Sequence, residues 1–139
     1  MGPYFSGIDL IEIARFERVL ERHGDRFLRR CFTEREVDYC RGRVSELAVR
    51  FAGKEATMKA LGTGVRGISW REIEILANAR GKPVVLLHGR AETRAHGIGL
   101  DAIEISLSHE RELGCAMVVG GPSLATLAGG RGAGTRDSG

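Results

Sequence analysis

Residues 50–62 read RFAGKEATMKALG, and apolar positions in and before this stretch recur with the 3.6-residue period of an α-helix. Leu47, Phe51, Met58 and Leu61 form one apolar stripe. Glu55 and Lys59 lie one turn apart and share a neighbouring face with Ala48 and Ala52. Such a pair on a solvated face is ordinary, and stabilises a helix by about 0.2–0.5 kcal/mol. Small alanines around it would also let a second segment or a ligand approach closely, which is the functional reading. Ser45 is the expected N-cap, and the helix should end at Gly62 in the turn GTGVRG. That turn follows its helix, so it is not a P-loop, which precedes one.

Upstream, Gly7–Leu10 in SGIDLIEI reads as a short strand. A helical pattern follows over about Glu12–His23, with Gly24 as its stop and a second short turn beginning at Phe27 and Leu28. Thr33 and Glu36 form a capping box for a helix over about Glu34–Arg41. Asp9 closes the first strand. An acid in an apolar run is costly to bury without a partner, so Asp9 is either a cap for the next helix or a metal ligand. Arg15, Arg18, Arg22, Arg26 and Arg29 are spaced 3, 4, 4 and 3. They make one basic stripe if the helix continues, either a solvated face or a docking surface. Ile13, Phe16 and Leu20 fall on a different face, free to pack.

Downstream the period changes. Ile73 and Ile75 flank Glu74 in a half-buried strand over Trp70–Leu76, NARGKP is a turn, and Val84–Leu87 returns as a hairpin. Arg90–His96 reads as a short helix. Ala102–Ser108 and Cys115–Val119 pair around HERELG. Ser106 and Ser108 share one face, with His109 entering the turn. The expected class is α+β, with N-terminal helices packed on a mostly antiparallel sheet. Residues 1–119 form the domain, and 120–139, rich in Gly, Ser, Ala and Thr, form a flexible tail.

The 139 residues suffice for one ordinary core, and 42% hydrophobic with 28% charged residues argues against global disorder. No apolar run is long enough for a transmembrane helix, and the N-terminus lacks a signal-peptide pattern. A cytoplasmic location is expected. Cys31, Cys40 and Cys115 are odd in number and lack CxxC spacing, so they read as reduced structural thiols. The net charge of +3 suits an anionic partner such as a nucleotide, an acidic protein or nucleic acid.

GIDLIEIARF, FTEREVDYC, RFAGKEATMKALGTG, GKP and ISLSHE occur in one order along residues 4–119. This arrangement resembles the holo-acyl-carrier-protein synthase family, a branch of the 4′-phosphopantetheinyl transferases. The resemblance implies transfer of 4′-phosphopantetheine from coenzyme A to a serine of apo-acyl carrier protein, with release of adenosine 3′,5′-bisphosphate. It implies Mg²⁺ held by Asp9 and Glu55, with Lys59 on a phosphate, so that Asp9, Glu55 and Lys59 form the catalytic set. It extends the coenzyme A contacts to Arg50, Lys54, Gly62 and His109, and leaves the base open among a metal-bound water, Glu55 and Glu110.

Acyl carrier proteins are acidic, so Arg15, Arg18 and Arg22 become the expected docking residues, with Arg15 foremost. A homotrimer with sites between subunits is implied, with no nucleic-acid or membrane partner. Two alternatives are weighed against this reading. One keeps the chemistry but takes a polyketide or peptide synthase carrier domain as acceptor. The other is a basic nucleic-acid-binding module, disfavoured by the 6% aromatic content and the lack of an aromatic platform.

Overall fold

In a computed structural model, residues 3–62, 66–125 and 128 are described. Strand β1 (Phe5–Glu12) leads directly into helix α1 (Ile13–Cys31), followed by α2 (Glu34–Cys40) and α3 (Val44–Leu61). A 3₁₀ turn at Trp70–Glu72 opens the hairpin β2 (Ile73–Ala77) and β3 (Pro83–Leu87). Helix α4 (Gly89–Ile98), β4 (Ala102–His109) and β5 (Leu113–Gly121) complete the order. The strands form an antiparallel sheet in the order β1-β5-β4 and a separate β2-β3 pair. The α+β architecture, with helices packed on antiparallel strands, is the one read from the sequence.

Helix α3 is the axis of the core. Its Ala52, Ala56, Met58, Ala60 and Leu61 are buried together with Ile73 and Ile75 of β2, Ile105 of β4, and Ala116 and Val118 of β5. A second cluster joins α1 and α2 to the start of α3 through Ile13, Phe16, Phe32, Cys40 and Leu47. Phe51 bridges the two ends, with its ring 4.8 Å from that of Trp70 and 5.8 Å from that of Phe16. Alternation in β1 turns Gly7, Asp9 and Ile11 toward α3, while Ile8 and Leu10 face the other way and stay exposed.

Several local expectations change. Gly24 kinks α1 at φ 52° and ψ −133° without ending it, and Phe27 and Leu28 belong to the resumed helix. A glycine signal alone does not distinguish a kink from a stop when the following turn has its own apolar contacts. The N-cap of α3 is Arg43 rather than Ser45, and it makes no side-chain cap bond. Glu74 is buried, not on a solvated face, because Thr33, Arg35 and His88 all bond its carboxylate. Strand β5 runs to Gly121, pairing Gly120 with Phe5 and Ile103. The ordered body thus extends past residue 119, because glycine lets the neighbouring strand come close. The capping box of α2 is as expected, with both reciprocal bonds formed between Thr33 and Glu36.

Candidate active site

Asp9 lies in the middle of β1, opposite Ala116, and does not cap α1, whose N-cap is Glu12. Its side chain faces α3 and meets two residues that the helix places one turn apart. The Lys59 ammonium donates to Asp9 Oδ1 at 3.1 Å and to the Ile8 carbonyl at 2.8 Å. Glu55 is half-buried and shares a hydrogen bond with Asp9. Burial, then the Asp9 charge and that bond, push the Glu55 carboxyl up to about 7, against the opposing pull of Lys59. The sequence's weak i,i+4 pair is therefore a three-residue cluster spanning a strand and a helix.

Burial first, and then the neighbouring Asp9 charge, disfavour the ionised form of Glu55, and a cation between the two carboxyl groups would offset both effects. The donors are hard oxygens. Mg²⁺ fits such a pair, since it binds one or two carboxylates and completes its shell with water and phosphate oxygens. Among the described residues no group of three or more His, Cys, Asp or Glu could hold a metal ion, so an all-protein cage of the zinc kind is not built here.

Beside the acids opens a cavity of about 520 Å³, lined on its apolar side by Phe16, Phe27 and Phe51 and on its polar side by Asp9, Glu55 and Arg15. Of the basic stripe, Arg15 alone lines this cavity; Arg18 and Arg22 are exposed farther along α1. Phe16 and Phe51 were legible only as packing positions, and Phe27 only as the start of a short turn. Their second role comes from β1, α1 and α3 lining one cavity together, which periodicity does not report.

Lys54 and Arg50 are elsewhere. Lys54 is fully buried, its ammonium held by Glu36 Oε1 at 2.7 Å, the Trp70 carbonyl at 3.0 Å and the Ile73 carbonyl. Burial pulls its pKa down, while the Glu36 charge and hydrogen bond oppose that change. No donor remains for a phosphate, so the expected coenzyme A contact of Lys54 is replaced by a structural one. Arg50 is 2% exposed, bonded to Glu46 Oε2 at 2.5 Å and to the Ile75 carbonyl at 3.1 Å, with Tyr39 against its guanidinium. Its basic edge is likewise occupied.

His109 ends β4, with Nε2 3.9 Å from Glu46 Oε1. Glu46 thus stands between Arg50 and His109, apart from the cluster of acids. Gly62 ends α3 in the left-handed conformation, φ 73°, with its N–H on the Met58 and Lys59 carbonyls. Arg94 of α4 donates to the adjacent Leu61 carbonyl at 3.0 Å. Residues 63–65 of the glycine turn lie outside the described residues. Glu110 accepts N–H bonds from Glu112 and Leu113, which fixes it as a turn residue.

Residues 6–116 match the model of the 4′-phosphopantetheinyl transferase superfamily. A holo-[acyl-carrier-protein] synthase of Herpetosiphon aurantiacus is 45% identical over 122 residues, covering 83% of this chain and 96% of that protein. One from Moorella thermoacetica is 50% identical over 107 residues, covering 75% and 83%. Among solved structures, the Helicobacter pylori holo-[acyl-carrier-protein] synthase in complex with coenzyme A superposes with a TM-score of 0.75 at 30% identity, over 81% of this chain and 96% of that one. The Neisseria meningitidis enzyme gives 0.75 at 35% identity, over 84% and 96%. With matching sequence over residues 6–116 and a matching overall fold, the chain belongs to the holo-[acyl-carrier-protein] synthases of the 4′-phosphopantetheinyl transferase superfamily.

Proposed function

We infer that this chain transfers 4′-phosphopantetheine from coenzyme A to a serine of apo-acyl carrier protein, releasing adenosine 3′,5′-bisphosphate. The observation that carries the reading is the Asp9–Glu55–Lys59 cluster at the mouth of a cavity between α1 and α3. In the reaction the serine oxygen bonds to the phosphorus bearing pantetheine, and the bond from that phosphorus to the adenosine bisphosphate oxygen breaks. Asp9 and Glu55 would hold Mg²⁺, which supplies neutralisation of charge on the pyrophosphate. Lys59 keeps one face on Asp9, and its exposed ammonium can also meet the departing phosphate. Arg15 places a positive charge at the cavity rim, where an acidic carrier would bring its serine.

The sheet face opposite α3 supports assembly into a homotrimer. Ile8, Leu10, Met117 and Val119 stand exposed together across β1 and β5, Ile8 opposite Met117. An apolar face of this kind marks an interaction surface. Analytical ultracentrifugation measures the assembly, and a monomer at micromolar concentration would rule the trimer out. No described helix is long and apolar enough to cross a membrane. The three free thiols suit a reducing cytoplasm.

Incubation with coenzyme A, Mg²⁺ and apo-carrier, followed by mass spectrometry, tests the activity. A mass gain of one phosphopantetheine on the carrier is expected, and an unmodified carrier would count against the function. Running fatty-acid and polyketide carriers in parallel identifies the acceptor class.

A further inference from the structure

Strand β1 approaches α3 at Gly7 more closely than any side chain would allow. A Cβ at this position would overlap the Ala56 carbonyl oxygen, and would lie 2.8 Å from the Ala56 carbonyl carbon and 3.2 Å from the Ala60 nitrogen. These are backbone atoms inside a packed helix, so no change of rotamer relieves the overlap. Gly53 of α3 offers a contrast. A Cβ there would meet only the ends of the Ile75, Ile105 and Leu107 side chains, which can turn aside. Gly7 is also not among the glycines with positive φ. Its requirement is space, not conformation.

Gly7 and Asp9 are two residues apart on one strand, so both face α3. Ala56 directly follows Glu55 in the helix. The tight backbone contact therefore lies beside the point where the two carboxylates meet. We propose that Gly7 is a positioning residue whose contact with Ala56 sets the gap between the Asp9 and Glu55 carboxylates to the span of one divalent cation. The proposal rests on the reading of Asp9 and Glu55 as cation ligands. Lys59 holds the strand toward the helix through the Ile8 carbonyl and Asp9. A long, flexible ammonium arm can pull but cannot define a distance, whereas two backbones in contact can.

A methyl group at position 7 would force β1 off α3 by an amount on the order of 1 Å before carbon and oxygen reach ordinary contact. Aspartate has one methylene and cannot follow its partner across that gap. Glutamate is longer by one carbon–carbon bond, about 1.5 Å. A strand displaced by the methyl would thus suit Glu at position 9, and an undisplaced strand would not.

Binding of Mn²⁺ alone to the full chain, followed by electron paramagnetic resonance with melting temperatures in parallel, tests this. Asp9→Ala and Glu55→Ala should each abolish the site; if neither alters Mn²⁺ binding, the cation reading fails and the proposal with it. Given that premise, Gly7→Ala should raise the Mn²⁺ Kd about 10–100-fold, the range for loss of a group that orients metal ligands. Asp9→Glu alone should also weaken binding. The double variant Gly7→Ala/Asp9→Glu should regain affinity to within a few-fold of wild type. A double variant that binds no better than Gly7→Ala makes the glycine a packing residue and overturns the proposal. Should Gly7→Ala not fold, Asp9→Glu decides: weakened binding supports a gap of fixed width, and unchanged binding overturns it.

Discussion

Lys59 and Asp9 are fifty positions apart in the chain, yet the lysine ammonium lies 3.1 Å from the aspartate carboxylate. The last turn of α3 thereby holds β1 at the residue where the strand carries its acid. Glu55, one turn earlier on the helix, meets the same aspartate. The strand–helix contact that builds the core also brings these three side chains together.

Replacing Glu55 by Gln keeps its shape and hydrogen bonding but removes its charge. Magnesium-dependent transfer should fall by about 100-fold or more, the scale seen when a charge-stabilising group is lost from an active site. The melting temperature at neutral pH should hold or rise. Ordinary turnover by a folded Glu55→Gln protein would remove the residue from the metal site.

The raised pKa of Glu55 gives a pH signature to the metal-free protein. The ordinary value is 4.5 and the folded one about 7. The native state therefore keeps a proton that the unfolded chain has already released between these values. That contribution is complete below pH 4.5 and is lost as pH rises through 7. The melting temperature of the wild type should thus fall across this window relative to that of Glu55→Gln. Saturating Mg²⁺ should reverse the loss on the alkaline side, because it binds the ionised pair. Parallel melting curves of the two proteins that stay equally spaced across the window would show that Glu55 titrates normally.

Arg15 lines the cavity beside the acids and is exposed. Arg15→Glu should raise the apparent KM for carrier protein on the order of tenfold and leave that for coenzyme A nearly unchanged. The carrier effect should shrink in high salt. Steady-state kinetics varying each substrate in turn measures the split, and equal changes in both constants would argue against docking at Arg15.

Lys54→Met strands the buried Glu36 carboxylate without its cation. A loss of about 3–5 kcal/mol is expected, the usual cost of breaking a buried pair from one side. Adding Glu36→Gln removes the second charge yet keeps an acceptor for the Thr33 N–H, and should recover part of the loss. Urea denaturation of the single and double variants measures both. A Lys54→Met protein of normal stability that binds coenzyme A poorly would instead return Lys54 to the donor site.

What the sequence made legible was local. The Thr33–Glu36 capping box, the helical period of α3 and the HERELG turn each depend on residues a few positions apart, and each formed. The errors share a cause in distance. Asp9 resembled a helix cap because its partner Lys59 lies far along the chain. Lys54 resembled a free cation because Glu36 and the Trp70 and Ile73 carbonyls, which fill its valences, arrive from α2 and the turn into β2. Glu74 seemed solvated for the same reason: alternation reports one strand, and α2 covers the other side. The family resemblance reached past these spacings to the fold class, because order along the whole body carries information that single spacings lack.

The exposed row of Ile8, Leu10, Met117 and Val119 leaves the main sheet with core on one side only. If neighbouring subunits cover that row, dilution becomes a control on the enzyme. Specific activity, measured per chain, would then decline as protein concentration drops below the assembly threshold, and the cell's stock of the protein would set how sharply carrier modification turns on.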